Sequence, residues 1–261
     1  MNLEAHNAVF DEAKKLGIDV IGHYGDCINS DCISKLSADD YDISQRTVSH
    51  IVFVNNQNIQ KILSSGVYLD PTLIVEQTHF GSIQDNTNYK EQLSLLNTAI
   101  KEKWVESNRL HALSYQGDHV KHRIKRRGQE YYYKAIFEYQ KAGGKIIAGT
   151  DSGMEYMLPG WSLHQELLNY VDAGLTSWQA LRTATINAAE CFRLESKMGS
   201  IQVGKKARMM LIDKNPIENL SNISRICMIF KDDMLIDKLY LDECIDKARN
   251  KPVEMLESIY K

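Results

Sequence analysis

The sequence predicts an α/β protein in which short parallel strands alternate with helices, followed by a small β region. The segment Lys145–Gly153 contains a continuous apolar run at residues 146–148, which is typical of a strand buried on both faces of a parallel sheet. Beyond Gly199 the pattern changes to short strands separated by turn residues. The chain has 261 residues, enough for one barrel-sized domain or one domain with a small annex.

Composition narrows the functional class. A hydrophobic content of 43% and a charged content of 25% are ordinary for a soluble globular protein. The formal net charge of -3 argues against nucleic acid or acidic membrane as partners, because both require a basic excess. Five cysteines without regular spacing indicate a reducing compartment rather than a disulfide framework. No apolar run approaches the roughly 18 residues of a membrane span and no signal-like core follows Met1, so we expect a cytoplasmic protein.

Helices and strands are predicted in alternation along most of the chain. Predicted helices cover residues 2–16, 58–65, 88–106, 119–142, 163–171 and 176–191. The last of these begins with a capping box formed by Thr176 and Gln179. Predicted strands cover residues 18–22, part of 47–54, 67–69 and 146–148, with further short strands near residue 201 and at 208–212 and 226–230. The last twenty residues are predicted to form a polar helix interrupted near Pro252.

Three predicted strands carry, at or near their ends, residues that can bind a metal ion: His23, His50 and Asp151. A lone histidine at a strand end is more often a hydrogen-bonded structural residue, and Asp151 alone could merely cap a turn. Three such residues at equivalent strand ends favour a shared site, because α/β folds place their chemistry there. Imidazole and carboxylate ligands suit zinc or a similar divalent ion. Such an ion lowers the pKa of a water molecule, whose proton an adjacent aspartate can pass to a leaving group.

Other candidate motifs are weaker. His119 and His122 could share a helix face and bind a metal, but the basic residues that follow favour a solvated surface. Cys27 and Cys32 lack the second pair that a structural zinc site requires, which favours ordinary free thiols.

The run from Ile146 to Ala207 resembles the C-terminal part of the metal-dependent amidohydrolases, in the imidazolonepropionase-like or prolidase-like branch. The matching motifs are Ala148-Gly-Thr-Asp-Ser-Gly153, Pro159-Gly160, His164-Gln-Glu-Leu167, Ala173-Gly-Leu-Thr176, Ala180-Leu181, Ala184-Thr185, Asn187-Ala188-Ala189, Gly199-Ser-Ile201 and Gly204-Lys-Lys-Ala207. Gly22-His23, Ser49-His50 and Asp70-Pro-Thr-Leu73 occur earlier in the family's order. The resemblance covers most of residues 1–235 and is weakest at 27–46 and 76–118.

Membership of this family would imply a (β/α)8 barrel of the TIM-barrel type with a small β-sandwich attached. It would make His23 the metal ligand of strand five and His50 the ligand of strand six. Asp151 would be the ligand and proton shuttle of strand eight. His164 and Glu166 match a motif just beyond that strand and could line the substrate pocket; a buried polar pair on a helix is the alternative.

The sequence also departs from the family pattern. The His-x-His of the first strand and the lysine or glutamate of strand four are absent. A whole barrel requires about 250 residues, whereas the β region here already begins at Gly199. We therefore expect the second half of a barrel, strands five to eight, over residues 1–198. The C-terminal part of the sandwich would follow at 199–240 and a helical tail at 241–261. Half a barrel would leave two open sheet edges, which invite pairing or dimerisation.

Two functional hypotheses follow. The first is a metal-dependent hydrolase of carbon–nitrogen bonds other than ordinary peptide bonds, cyclic amides included, acting on a small-molecule substrate through Asp151. The second is a catalytically incompetent fragment or one chain of a two-chain amidohydrolase, whose partner would be a second copy or a separate N-terminal half. The substrate is not encoded in a readable form, because loops build much of the pocket in this fold.

Overall fold

The computed structural model describes residues 3–23, 47–49, 59–75, 87–114, 119–152 and 157–250. The chain forms two compact units that are interleaved in sequence. The first unit consists of residues 1–73, 129–149 and 166–205, and the second of residues 74–128, 150–165 and 206–261. The domain boundaries after residues 198 and 240 stay predictions.

The helices follow the predicted order. They are α1 (Leu3–Leu16), α2 (Ile59–Ser64), α3 (Thr87–Ser94), α4 (Thr98–Ser114), α5 (His119–Lys141), α6 (Trp161–Asp172), α7 (Ser177–Thr183), α8 (Ile186–Cys191) and α9 (Lys238–Arg249), with a 3₁₀ helix at Leu220–Ser224. Within the parts of the chain that the structure describes, no helix has the length and apolar character needed to cross a membrane.

A parallel sheet forms the centre of the first unit. Strands β1 (Ile21–His23), β2 (Thr47–Ser49) and β3 (Tyr68–Asp70) lie side by side in chain order and are all parallel. Ile146 extends the sheet through a parallel bridge to Leu69. Both of these residues are completely buried, as the apolar run at 146–148 predicted. The predicted α/β class with parallel strands is therefore confirmed.

Tyr139 joins α5 to this sheet. Its ring is buried, and its hydroxyl donates a hydrogen bond to the Val67 carbonyl at 2.9 Å. The chain then turns back into the sheet through Gly144, where a Cβ atom would overlap the Tyr139 ring. Only glycine lets the backbone approach the ring this closely. The tyrosine and the glycine together therefore fix where the chain enters residues 146–148, which occupy the fourth strand position of the sheet beside β3.

The predicted capping box at the start of α7 is present. The Gln179 amide donates to Thr176 Oγ1 at 3.2 Å, and the Thr176 amide donates to Gln179 Oε1 at 2.9 Å. The prediction of one helix over 176–191 was wrong, because α7 ends at Thr183 and α8 begins at Ile186. The Thr183 carbonyl accepts the amide of Ala148 at 3.2 Å, so at this point the helix binds the sheet.

This helix break closes the outer edge of the fourth strand position. On one side the segment pairs with Leu69 of β3. On the other side, the Ile146 carbonyl accepts from Asn187 Nδ2 at 3.0 Å, and the Ala148 amide donates to the Thr183 carbonyl. Over residues 146–148 both edges of the segment are therefore bonded. The expectation of an open sheet edge is wrong here, because side-chain and helix-end groups take the place of a neighbouring strand.

The second unit contains an antiparallel sheet of β4 (Arg208–Ile212), β5 (Ile226–Lys231) and β6 (Met234–Asp237). The strands predicted at 208–212 and 226–230 are confirmed, β6 was not predicted, and the residues around 201 form no strand. Asp237 then caps α9, its Oδ1 accepting the amide of Tyr240 at 2.9 Å.

The helix predicted over 88–106 is two helices, α3 and α4. Asn97 lies between them, and its Oδ1 accepts the amide of Ala99 at 2.9 Å, which is the bond expected of a residue that starts a new helix. Its side-chain amide also donates to the carbonyl of Arg249 at 3.0 Å, tying this connection to the end of α9. Leu93, Trp104 and Trp161 are partly buried and pack against a hydrophobic core cluster.

Candidate functional site

The carboxyl ends of the first three strands lie level with one another. His23 is the register partner of Ser49, and Ser49 is the register partner of Asp70, so their Cα atoms form one row across the sheet. Neighbouring strands are about 4.8 Å apart, which makes this row about 10 Å long. The bridge between Leu69 and Ile146 brings the fourth strand position to the same end of the sheet.

The structure places only part of the predicted ligand set. His23 is the last residue of β1. Asp151 is exposed and has a left-handed backbone with φ 50°, a conformation that aspartate adopts more readily than most residues. His50, which follows Ser49 in sequence, lies outside the described residues. Among the residues that the structure describes, no three His, Cys, Asp or Glu side chains are grouped so as to hold a metal ion.

Asp70 packs against the segment that leads to Asp151. A Cβ atom at Gly149 would overlap the Asp70 carboxylate oxygens and would lie 2.7 Å from its Cγ. Asp70 Oδ1 is screened from solvent. The end of β3 therefore packs directly on the end of the fourth strand position: the Asp70 carboxylate occupies the space that a side chain at residue 149 would fill.

Glu166 lies in the interior rather than on the surface. It is fully buried on α6, and its Oε1 accepts the amide of Leu73 at 2.8 Å. Tyr170, one turn further along α6, is also fully buried, and its hydroxyl lies between the Ile147 carbonyl, 3.2 Å away, and the Glu166 carboxylate. Burial raises the pKa of Tyr170 well above its ordinary value, and the negative charges of Glu166 and Asp70 raise it further.

The turn that Glu166 binds is conformationally unusual. Thr72, between Asp70 and Leu73, has φ 47°, which is rare for a β-branched residue. A residue held in such a region costs of the order of 1–3 kcal/mol and persists only where surrounding contacts determine it. The buried hydrogen bond from the next amide to Glu166 is one such contact.

A family comparison decides what kind of protein this is. The model of the amidohydrolase family matches residues 3–240 of the 261. The chain belongs to the amidohydrolase family. Members of this family are hydrolases of the barrel fold and typically use a divalent metal ion.

Solved structures of amidohydrolases resemble the chain in fold. A Xaa-Pro dipeptidase with bound methionine aligns with a TM-score of 0.61 and 21% identity over 91% of this chain and 49% of its own. The bottromycin amidohydrolase aligns with a TM-score of 0.66 and 16% identity over 93% and 55%. The ochratoxinase of A. niger aligns with a TM-score of 0.62 and 16% identity over 91% and 46%. The chain therefore spans about half the length of these proteins.

A curated relative shares a short, more similar segment. The 5'-deoxyadenosine deaminase of Methanobrevibacter smithii is 56% identical over 41 residues, which are 16% of this chain and 9% of that protein.

The residue types predicted as metal ligands at the strand ends, His23, His50 and Asp151, suit a divalent ion. Its predicted ligands are two imidazoles and a carboxylate, the ligand types that a borderline ion such as Zn²⁺ prefers. The backbone register puts His23 level with Ser49, the residue before His50. These residue types suit the divalent metal that members of the family typically use, and the ligand set itself stays a prediction.

His164, the other predicted pocket residue, lies on α6 and is partly buried. Burial lowers the pKa of its imidazole, because a low-dielectric surrounding disfavours the charged form. At neutral pH the side chain is therefore a neutral imidazole, able to donate one hydrogen bond and accept another.

Sequence reasoning missed three members of this arrangement: Asp70, Gly149 and Tyr170. In the sequence, Asp70 and Gly149 stand only as members of motifs that match the family, with no role assigned to either. The signal that could have found them is a carboxylate directly after one buried strand together with a glycine directly after the next. Tyr170 carried no signal, since an aromatic residue on the apolar stripe of a helix is ordinary.

Proposed function

We propose that this amidohydrolase-family chain hydrolyses carbon–nitrogen bonds, other than ordinary peptide bonds, in a small-molecule substrate. His23, His50 and Asp151 would hold a divalent ion, zinc, at the carboxyl edge of the parallel sheet. The observation that supports this most is the level row of strand ends, in which His23 stands in register with the residue before His50. Family membership over residues 3–240 supports the same reaction class.

The divalent ion would supply Lewis acidity, which polarises the scissile carbonyl and makes a water molecule more acidic. The Asp151 carboxylate would accept a proton from the attacking water as its oxygen bonds to the carbonyl carbon. The same carboxylate would then deliver that proton to the leaving nitrogen as the carbon–nitrogen bond breaks. One proton thus moves from oxygen to nitrogen, and the products are an acid and an amine. The exposure of Asp151 is compatible with access by substrate and water.

The relatives suggest which compounds to test first. A suitable panel contains cyclic amides, N-acyl amino acids, Xaa-Pro dipeptides and 5'-deoxyadenosine, the last two taken from the names of a structural and a curated relative. We expect turnover of a cyclic or small amide.

Asp151→Asn tests the assignment. The substitution keeps the size of the side chain and removes its basicity, so we expect an unchanged circular dichroism spectrum and melting temperature with loss of turnover on the panel. Glu195→Gln, at an exposed position, is the matched control and should retain wild-type turnover. Full activity of Asp151→Asn would refute the proposed role.

A second candidate is one chain of a two-chain amidohydrolase. Under this hypothesis, residues 1–198 correspond to strands five to eight of a barrel. The antiparallel sheet of the second unit favours it, because apolar residues occupy both faces of the central strand β5 and none of them is fully buried. Met210 and Leu211 on β4 and Met234 and Leu235 on β6 are also exposed. A run apolar on both faces is typical of a strand covered from both sides.

Co-expression separates the two candidates. If a polypeptide encoded directly upstream carries a strand with His-x-His, we expect it to co-purify with this chain at equal stoichiometry and to be required for turnover. Light scattering on the chain alone would then show a monomer or a weak dimer without activity. Turnover by this chain alone, with no second polypeptide present, would refute the two-chain assignment.

A further inference from the structure

Glu166 and Tyr170 form a pair one helical turn apart, the spacing that places two side chains on one face of α6. Glu166 Oε1 accepts the Leu73 amide at 2.8 Å, directly after β3. The Tyr170 hydroxyl donates to the Ile147 carbonyl at 3.2 Å, in the neighbouring strand position. One turn of one helix therefore binds backbone groups of two adjacent strands near their carboxyl ends.

The backbone groups that the pair holds belong to the segments that follow β3 and that lead along the chain to Asp151. The Leu73 amide follows Thr72, whose left-handed backbone completes the turn after Asp70. The Ile147 carbonyl lies two residues before Gly149, which packs on the Asp70 carboxylate, and four residues before Asp151. The contacts on the two strands therefore converge on the stretch that ends at the proposed proton shuttle.

Both side chains are fully buried, although both are polar. Leucine and phenylalanine at these positions would fill similar volumes without the cost of removing a carboxylate from water. A buried glutamate at this point is therefore a poor choice if packing is its only role. Its acceptance of the Leu73 amide gives it a role that an apolar side chain could not fill.

We infer that Glu166 and Tyr170 are positioning residues for the strand-end site: they hold the Asp70 turn and the segment leading to Asp151 at fixed places and touch neither substrate nor metal. For Glu166, this proposal favours the alternative of a buried polar residue over the pocket role that the family resemblance also allows. The expected loss of metal affinity in variants of the pair rests on the proposed function. The expected loosening of the backbone at the two strand ends does not.

Two readouts test the pair. Amide hydrogen exchange on peptides covering residues 68–75 and 145–149 reports whether the two strand ends are held, in the absence of any metal. Competition of Zn²⁺ with a chromophoric chelator reports whether the ligand set is positioned. The variants are Glu166→Ala, Glu166→Gln and Tyr170→Phe. Leu167→Ala, a buried neighbour on the same helix, is the matched control for a loss of stability alone.

We expect Glu166→Ala to speed exchange of the Leu73 amide about tenfold or more, while Glu166→Gln retains an acceptor oxygen and stays near wild type. Tyr170→Phe should speed exchange mainly in residues 145–149. Glu166→Ala and Tyr170→Phe should each weaken zinc binding about tenfold, as is typical when a group that orients a metal ligand is lost. Leu167→Ala should leave zinc affinity within about twofold.

The inference is overturned if Glu166→Ala leaves exchange at both strand ends unchanged. It is also overturned if Leu167→Ala weakens zinc binding as much as Glu166→Ala does, since the effect would then be one of stability. If the wild-type chain takes up no zinc, the proposed function fails instead, and the exchange comparison alone decides whether the pair holds the two strand ends.

Discussion

Replacing Gly149 by alanine tests the packing between the ends of β3 and the fourth strand position. The new Cβ would lie 2.7 Å from Asp70 Cγ, about 1 Å closer than the ordinary separation of about 3.5–4.0 Å between carbon atoms. Asp70 Oδ1 is already screened from solvent, so the carboxylate has little room to withdraw. Overpacking of this kind costs about 1–3 kcal/mol, and we expect about 2 kcal/mol.

The assay is urea unfolding followed by circular dichroism, arranged as a double-mutant cycle with Asp70→Ala. Removing the carboxylate removes the overlap, so Gly149→Ala should cost at least about 1 kcal/mol less in that background. Gly144→Ala is the comparison, because its Cβ would meet the Tyr139 ring instead. Its cost should add to that of Asp70→Ala within about 0.5 kcal/mol. Additive costs for Gly149→Ala and Asp70→Ala would refute the proposed contact.

Three further substitutions test two hydrogen bonds of the fold and the titration of His164. Asn187→Ala leaves the buried Ile146 carbonyl without its donor and should lower the free energy of unfolding by about 1–3 kcal/mol, measured by urea unfolding against exposed Asn215→Ala. Thr176→Ala removes one half of the capping box and should cost about 1 kcal/mol in the same assay; an unchanged midpoint would contradict the role of the box. His164 has a pKa below the value of about 6.5 expected in the unfolded chain, because burial disfavours its charged form. The stability that depends on a neutral His164 is therefore fully present above about pH 6.5 and is lost as pH falls. His164→Gln should therefore flatten the acid side of the curve of stability against pH, and an unchanged slope between about pH 7 and pH 5 would show that this group does not titrate as described.

Local signals in the sequence predicted the elements whose determinants are close together in the chain. The apolar run at 146–148 gave a buried strand position, Gly17 ended α1, and Thr176 with Gln179 started α7. Each depends on residues within one or two turns of one another, so spacing alone suffices. The short strand β6 was missed because four residues next to a tight turn carry little periodicity.

Contacts between distant residues could not be predicted from spacing. The break between α7 and α8 depends on the Thr183 carbonyl binding Ala148, and the closed sheet edge depends on Asn187. The packing of Asp70 on Gly149 joins two strands separated by several helices. In each case tertiary structure supplies the partner, and local pattern is overridden. The predicted metal ligands came instead from residue chemistry at strand ends together with family resemblance.

Zinc stoichiometry tests the central claim most directly. The wild-type chain, its Asp151→Asn and His50→Ala variants, and a His122→Ala control would be dialysed against micromolar zinc and analysed by elemental mass spectrometry. We predict about one zinc ion per wild-type or His122→Ala chain and a clear loss in the two site variants. Equal zinc in all four proteins, or loss only in His122→Ala, would contradict a metal site at the strand ends.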